Sequence, residues 1–561
     1  MHKILSLPAI STPYYRPFER HFPKPQADMS DRLSALWRFC AGLSMGLSIW
    51  YLTWRWSVSL NPDAMMFSII IATAETCCVI GMALFYYDIW AEPERRVVAA
   101  PDAVKVGGSS VDIFITTFDE DPHIVEDSLI DATKIHAPKG WSVTVHLLDD
   151  GARADMRHIA ACHGVQYHAR TDNVGFKAGN LKHAMLRSDG DFIVIGDADT
   201  RFFPTLLQNT LGYFKDPSVA WVQTPHCFYD IPPVCPTTSW WQRWFRTGVD
   251  PFLMDPTIFF DVIQRRRDRH GASFCCGAGS VHRRAAICEH AMTNFAKTPA
   301  APTSTSLQPF KFHVSEDLFT SIQLHAADRT WTSVYHPDPE CRMLSPWSVE
   351  AWASQKLKYA GGTFDIFLNR ISLWRSPMDW RIKLHYFATF WSYLAVFPTL
   401  VLFFAPIVTT LTGIAPIASY STEFFAHLLP MVLGVELALM FGCKGNDVQS
   451  ARIVSIATVP YVLKAFWQSL CRRRIGFTPT PKTLKKQSEF RFLRWQIAMM
   501  CLQVFGLCVA LFKYGTGVPG FSSSLMIVNG FWMVWNIWTV WQVVRLGGWT
   551  PPVLPERTRV V

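Results

Sequence analysis

The chain has 561 residues, half of them hydrophobic, 14% aromatic and only 17% charged, with a formal net charge of +9. Soluble domains average about 25% charged residues, so the deficit excludes an ordinary water-soluble enzyme and implies a membrane protein of several segments. The Lys and Arg excess lies in blocks flanking apolar runs, with no regular basic-aromatic platform, which excludes nucleic acid as the expected partner.

Residues 1–35 are proline-rich and basic, lack the apolar core of a signal peptide, and read as a cytoplasmic segment. A membrane-spanning helix needs roughly 20 mostly apolar residues. Residues 36–90 hold two candidates, Leu36–Trp54 and Met65–Tyr87. Residues 91–345 read as a water-soluble α/β domain. Strand-like runs "VDIFITTF" (111–118), "WSVTVHLLDD" (141–150) and "DFIVIGDAD" (191–199) alternate with helical "HIVEDSLIDATKI" (123–135) and "FKAGNLKHAMLR" (176–187). That alternation predicts a parallel sheet with flanking helices. Ala291–His313, rich in Pro, Thr, Ser and Ala, reads as a surface insertion.

Residues 346–383 interleave Trp352, Leu357, Tyr359, Phe364, Phe367 and Ile371 with polar residues, the pattern of amphipathic interface helices. Residues 384–442 supply two spans, Leu384–Leu411 and Glu423–Gly442, and 494–546 two more, Trp495–Phe512 and Leu525–Val544, making six. Between them, 443–493 holds an interface helix and a loop. Arg452–Leu470 is apolar enough to pass for a seventh span, but Ser455, Thr458, Lys464 and Gln468 recur at near-helical spacing, so it reads as lying on the membrane surface. Residues 547–561 form a tail. Lys and Arg cluster at Arg16, Arg20, Lys24, Arg32, Arg38, Arg95, Arg96, within 471–486 and at Arg545, while 412–422 has none and 513–524 only Lys513. The expected orientation has the soluble domain and both termini in the cytoplasm. The 14 cysteines form no CxxC pair and many sit in apolar runs, as reduced packing residues do.

Ligands of parallel sheets bind outside the carboxyl ends of the strands. Here those ends carry Asp119 and Glu120, Asp149 and Asp150, and Asp197 and Asp199. On an extended tail, residues i and i+2 point the same way, so Asp197 and Asp199 can share a divalent cation that also holds a diphosphate. The other reading is a helix cap with a spare surface acid. An acid of "LLDDG" can accept hydrogen bonds from a nucleobase or ribose. Lys177 in "FKAGN" suits a phosphate or simply begins a helix. Asp317 in "SED" is either a helix N-terminal acid favoured by the dipole or a general base.

Together these residues resemble the family 2 glycosyltransferases, and within them the processive, membrane-embedded cellulose synthase-like enzymes. The strings "TTFDED", "DDG", "KAGNL", "DAD", "VQTPH", "CCGAGSV", "SED", "QKLKY" and "FTPTPK" carry the likeness in order, within about residues 36 to 545. The resemblance implies a GT-A-like cytoplasmic domain embedded between transmembrane helices. It implies that Thr117, Glu120 and Asp150 line a uridine pocket with Lys177 near the nucleotide. Asp197 and Asp199 would hold Mg2+ or Mn2+ on the diphosphate, and Asp317 would deprotonate the acceptor hydroxyl. His226, Cys276 and Gly277 would sit near the acceptor sugar, with burial of a small side chain the other reading of Cys276. Where the family has Q-x-x-R-W, this chain has Gln355, Lys358 and Tyr359. Tyrosine still stacks on a sugar, and lysine keeps the charge without the planar fork.

Phe477, Thr480 and Lys482 match the family's gating loop, with Pro479 in place of valine. Bacterial cellulose synthases commonly carry a cyclic-di-GMP-binding domain after the last span, and the 16 residues after Arg545 are too few for one. The expected activity is inverting polymerisation of a sugar, glucose foremost, from a UDP-sugar into a β-glucan such as cellulose. Export of the growing polysaccharide across a bacterial inner membrane, with accessory export subunits as possible partners, completes the expectation. The alternatives are a β-1,3-glucan or other β-polysaccharide, or single transfer to a lipid carrier. A non-catalytic scaffold is disfavoured by the intact acids. Glu75, His427, Glu436, Trp391 and Tyr393 read either as channel lining or as interhelix contacts.

Overall fold

A computed structural model describes residues 27–94, 101–230, 258–297, 307–327, 331–346, 348–446, 448–473 and 489–548. Phe477, Thr480 and Lys482 lie outside the described residues.

The soluble part is built on a seven-stranded sheet of order β3-β2-β1-β4-β7-β6-β8. Its strands are β1 (Ser110–Thr117), β2 (Ser142–Asp149), β3 (Gln166–Ala169), β4 (Phe192–Asp197), β6 (Val219–Gln223), β7 (Ser280–Arg283) and β8 (Thr332–Tyr335). A small ribbon pairs β5 (Arg201–Phe202) with β9 (Cys341–Arg342). The apolar runs are continuous because the central strands are covered on both faces. Ile113, Ile115, Leu147, Phe192 and Val194 fill one core, while Phe114, Leu148, Ile193 and Ile195 pack on Ala178, Leu181 and Met185 of the helix Phe176–Met185.

The strands β1 to β4 run parallel as expected, but β7 is antiparallel to both β4 and β6, so the sheet is mixed. Period and composition of a four-residue strand carry no direction, which is set by its connections. The register decides what meets at the carboxyl edge: Thr117 pairs with Asp149, and Thr116 with Asp197.

Helices form at all six expected span positions. Four are long and apolar enough to cross a membrane: Pro62–Asp88, Trp380–Thr412, Thr422–Gly442 and Phe490–Gly515. Among the described residues, Asp31–Ser57 and Ser523–Val544 occupy the first and last expected span positions with lower hydropathy. The first carries Asp31, Arg32, Arg38, Arg55 and several serines. The second is diluted by Trp532, Trp535, Trp538, Trp541, Asn529, Asn536 and Gln542. The interface segment is two helices, Val448–Ala457 and Val459–Leu470, meeting at 55° next to Pro460. Together they could make a fifth, broken span. Val459–Leu470 packs along the helix Val349–Asp365. Close approach of Asp31–Ser57 to Thr422–Gly442 needs small residues. A Cβ on Gly442 would lie 2.7 Å from the Trp37 ring.

Of the residues suspected of lining a channel, Glu75 pairs with buried Arg55 at 2.8 Å, and Glu436 with Arg452 at 2.6 Å. His427 stacks on Trp50 and Trp54. Glu75 and Glu436 nevertheless both line a second cavity of about 390 Å³ between the helices.

The sheet domain is fastened to the helix bundle by "RRR" at 265–267. Arg267 donates to Asp88 Oδ2 at 2.6 Å and to the His385 carbonyl, and His385 Nδ1 meets Asp88 Oδ1 at 2.6 Å. Arg266 donates to the carbonyls of Ile89 and Gly442. Arg267 and Asp88 are almost fully buried, so removing one partner strands the other. Arg267→Ala is expected to destabilise the chain by about 3–5 kcal/mol, read as a clear drop in the unfolding temperature of detergent-purified protein. An unchanged temperature contradicts the anchoring role.

Candidate active site

The carboxyl edge of β1, β2 and β4 opens into a cavity of about 400 Å³. Ten expected site residues line it: Thr117, Glu120, Asp150, Lys177, Asp197, Cys276, Gly277, Asp317, Lys358 and Tyr359. Asp199, His226 and Gln355 are not among the lining residues.

On the β1 side, Glu120 Oε2 accepts from Thr117 Oγ1 at 2.7 Å and from the Phe118 N–H at 2.8 Å. Arg153 clamps this turn, donating to Thr117 Oγ1 and to the Glu120 carbonyl, both at 2.7 Å. Fully buried Asp149 holds Arg153 in place and accepts from Tyr167. Its neighbour Asp150 faces the cavity in a two-point pair with Arg170, at 2.5 and 2.7 Å. Burial raises the Asp150 carboxyl above its usual range against the pull of Arg170. Arg153 and Arg170 escaped sequence reading because a lone arginine in a polar loop looks like solvated charge.

The loop that Arg170 also braces through the Val174 and Phe176 carbonyls launches the helix carrying Lys177. Only glycine fits one turn later: a Cβ on Gly179 would lie 1.9 Å from the Val174 oxygen. Lys177 Nζ lies 2.6 Å from Asp197 Oδ1 and 3.9 Å from Glu316 Oε1. Burial works to depress the Lys177 ammonium, but Asp197 and Glu316 outweigh it and hold it above its ordinary value.

Asp197 and Asp199 do not share an extended tail. The Asp197 N–H donates to Thr200 Oγ1 and the Thr200 N–H to the Asp197 carbonyl, closing a tight turn. Asp197 stays half-exposed at the cavity. Asp199, 2% exposed, accepts from the Leu344 N–H at 3.0 Å.

The opposite wall is the start of the helix Glu316–His325. Asp317 Oδ1 accepts from the Leu318 N–H at 2.7 Å. Glu316, missed as a site residue, also lines the cavity. Burial and the adjacent Asp317 push Glu316 up to about 7, and burial raises Asp317 as well. Burial depresses the Lys358 ammonium, opposed by Glu316.

The floor is the "CCGAG" turn. The Cys276 N–H donates to Gln223 Oε1 at 2.7 Å, and burial raises the Cys276 thiol well above its usual value. His226 sits behind the wall, its Nε2 on the Ala278 carbonyl at 2.7 Å; burial lowers it to about 4, so it is a neutral brace for this turn. Gln355 stands one helical turn from Lys358 and Tyr359.

The family model for glycosyl transferase family group 2 matches residues 192–439. Cellulose synthase 1 of Komagataeibacter xylinus is 29% identical over 398 residues, which cover 70% of this chain and 24% of that protein. The cellulose synthase catalytic subunit (UDP-forming) of Pseudomonas fluorescens strain SBW25 is 29% identical over 402 residues, covering 70% of this chain and 50% of that protein. In these matches the chain is similar to the cellulose synthase-like family 2 glycosyltransferases. It spans a quarter to a half of the length of these relatives. The cellulose synthase 1 catalytic subunit (UDP-forming) of K. xylinus, 30% identical, is likewise matched over 66% of this chain and 46% of that protein. Among solved structures, a mannosyltransferase from Pyrobaculum calidifontis in complex with GDP-Man and Mn2+ aligns over 72% of this chain with a TM-score of 0.47 at 14% identity.

Gly277 holds the floor of this site in the left-handed region. Its φ is +86°, and a Cβ there would lie in ordinary contact, 3.4 Å from Lys177 Nζ and 3.8 Å from Asp317 Oδ2. Gly277→Ala is expected to cost about 1–2 kcal/mol of backbone strain. Thermal unfolding of the purified variant checks the strain, and stability equal to the parent's contradicts it.

Proposed function

We propose that this chain is a processive, inverting hexosyltransferase that builds a β-glucan such as cellulose from UDP-glucose and passes it across a bacterial inner membrane. The supporting observation is that donor-side residues from three strand ends, the Glu316–Asp317 helix start and the Lys358–Tyr359 helix all face one cavity of about 400 Å³. Thr117, Glu120 and Asp150 form the nucleoside side, braced by Arg153 and Arg170. Lys177 and Asp197 form the diphosphate side. Asp317, Lys358 and Tyr359 face the acceptor, with Cys276 and Gly277 beneath.

The charges of the cavity favour a divalent cation. Asp197, Glu316 and Asp317 against Lys177 and Lys358 leave one excess negative charge when all are ionised, and a diphosphate adds more. Mg2+ is commonly held by one or two carboxylates plus substrate phosphates, with Mn2+ suited to similar oxygen donors. Half-exposed Asp197 fits as such a ligand once Lys177 shifts toward the phosphates. Asp199 fits less well, because it is turned inward onto Leu344. When bound, the cation would neutralise charge on the departing diphosphate.

Asp317 takes the proton from the acceptor hydroxyl. That oxygen forms the new bond to the anomeric carbon as the bond from that carbon to the diphosphate breaks, and UDP leaves with the electron pair. Lys177 offsets the charge developing on the leaving oxygens. Tyr359 offers a ring face to the acceptor sugar. A hydroxyl-rich polymer cannot cross lipid unaided, which gives the flanking helices their role. The Lys and Arg distribution supports a cytoplasmic site and cytoplasmic termini. Accessory subunits would continue export.

Membranes holding the protein, incubated with radiolabelled UDP-glucose and Mg2+ or Mn2+, are expected to give an ethanol-insoluble product digestible by a β-glucanase. Label found only in the organic phase would instead indicate single transfer to a lipid. Chelation is expected to stop turnover and either ion to restore it; full activity in chelator contradicts metal binding at Asp197.

Only ionised Asp317 can accept the proton, and the Glu316–Asp317 pair takes up a proton near neutrality, since burial and Asp317 raise Glu316 to about 7. Turnover is therefore expected to fall on the acid side at a pH above the ordinary aspartate range, because burial raises Asp317. Glu316→Gln removes a negative charge beside Asp317, lowers its affinity for a proton and shifts the acid limb of the pH–rate profile downward. An unmoved limb contradicts the coupling.

A further inference from the structure

Asp317 and the acceptor helix Val349–Asp365 come from separate parts of the chain, yet the reaction needs them in fixed relation. His313 joins them. Its Nδ1 lies 3.0 Å from the Ser315 nitrogen, and its Nε2 lies 3.1 Å from Asp365 Oδ2. The Ser315 N–H can only donate, so Nδ1 accepts and the single imidazole proton sits on Nε2, which donates to Asp365. The ring is thus held in one tautomer with a different element at each end. Ser315 is the N-cap of the helix that begins Glu316–Asp317, and Asp365 is the last residue of the helix bearing Lys358 and Tyr359.

The same two elements also touch directly. A Cβ on Gly362 would lie 2.0 Å from Ser315 Oγ, so only glycine allows this approach. His313 is 9% exposed in its side chain and meets the Phe319 ring edge-on. Asp365 is oriented by Asn369 at 2.8 Å and Arg370 at 3.1 Å. Asn369 in turn donates to the Ser469 carbonyl at 2.9 Å, and Ser469 Oγ to that of Gly361 at 3.3 Å. The acceptor helix is therefore held at Asp365 by His313 on one side and by the helix Val459–Leu470 on the other.

We propose that His313 is a positioning residue: by bridging the Ser315 N–H and Asp365 it sets the separation between the base Asp317 and the acceptor site at Lys358 and Tyr359. This rests on the reading of Asp317 as the base. The donor side, Thr117 to Asp150, shares no bond with the bridge. Its loss should therefore change the chemical step and leave donor binding alone. A displacement of about 1 Å can cost on the order of 100-fold in rate.

The test uses the full chain, assayed with UDP-glucose and divalent cation, with His313→Ala, Asp365→Leu and the double variant. Each single variant is expected to lower kcat at least about tenfold while the KM for UDP-glucose stays within about twofold. The double variant should fall no further than the worse single one. Asp365→Asn, which keeps an acceptor for Nε2–H, should recover most of the loss seen with Asp365→Leu. Hydrogen exchange should quicken in peptides covering 311–325 and 349–365 and stay unchanged in 142–150. Parental kcat in either single variant, additive losses, or a parallel rise in donor KM would overturn the proposal. If His313→Ala does not fold, His313→Asn, which keeps an acceptor for the Ser315 N–H but cannot reach Asp365, is read by the same criteria. Should the parent chain turn over no UDP-glucose, the base assignment fails, and the exchange result still decides whether His313 holds the two elements together.

Discussion

One ammonium group among three carboxylates organises the cavity. Lys177 lies 2.6 Å from Asp197, and Glu316 and Asp317 also bear on it. Opposite charges about 4 Å apart attract by about 4 kcal/mol in the environment of a protein surface and by more where water is excluded. Burial works against the charges of Lys177, Glu316 and Asp317. The attraction keeps the lysine charged, while Glu316 and Asp317 hold their protons more tightly. On the proposed function, an incoming diphosphate takes the lysine and leaves Asp197 to a cation. The strand register, the Gly179 approach, the Gly277 turn and the arginine clamps all serve to bring these groups together.

The second constraint is attachment to the membrane. On the proposed function, an enzyme that delivers its product to a bundle of helices must hold its site at a fixed height above them. The buried Arg265–Arg267 run does this through Asp88, His385 and the ends of two helices. The helix Val349–Asp365 continues the connection, because it carries Lys358 and Tyr359 at the cavity while packing against Val459–Leu470.

Much of this was legible in the sequence, for a physical reason. Strands buried on both faces must be apolar throughout, so the acids that end them stand out, and Glu120, Asp150 and Asp197 were singled out that way, while Asp317 was singled out at a helix start. What was not legible depended on partners distant in sequence. The tight turn at Thr200 separated Asp197 from Asp199, where an extended tail would have kept them together. His226, expected near the acceptor sugar, is instead turned onto the Ala278 carbonyl. Arg153 and Arg170 look like loop charges until Asp149 and Asp150 are placed beside them. The direction of β7 follows from its connections, and the lower hydropathy of the first and last helices from charges and serines in one and tryptophans and amides in the other, which apolar run length alone does not weigh.

The central claim is that one cavity separates two tasks, with Asp197 and Lys177 serving the leaving group and Asp317 the attacking hydroxyl. The most direct measurement is UDP-glucose binding and single-turnover product formation by Asp317→Asn in the full-length protein. The account predicts donor affinity close to the parent's and no polymer. Normal turnover by Asp317→Asn, or loss of donor binding equal to the loss of product, would contradict it.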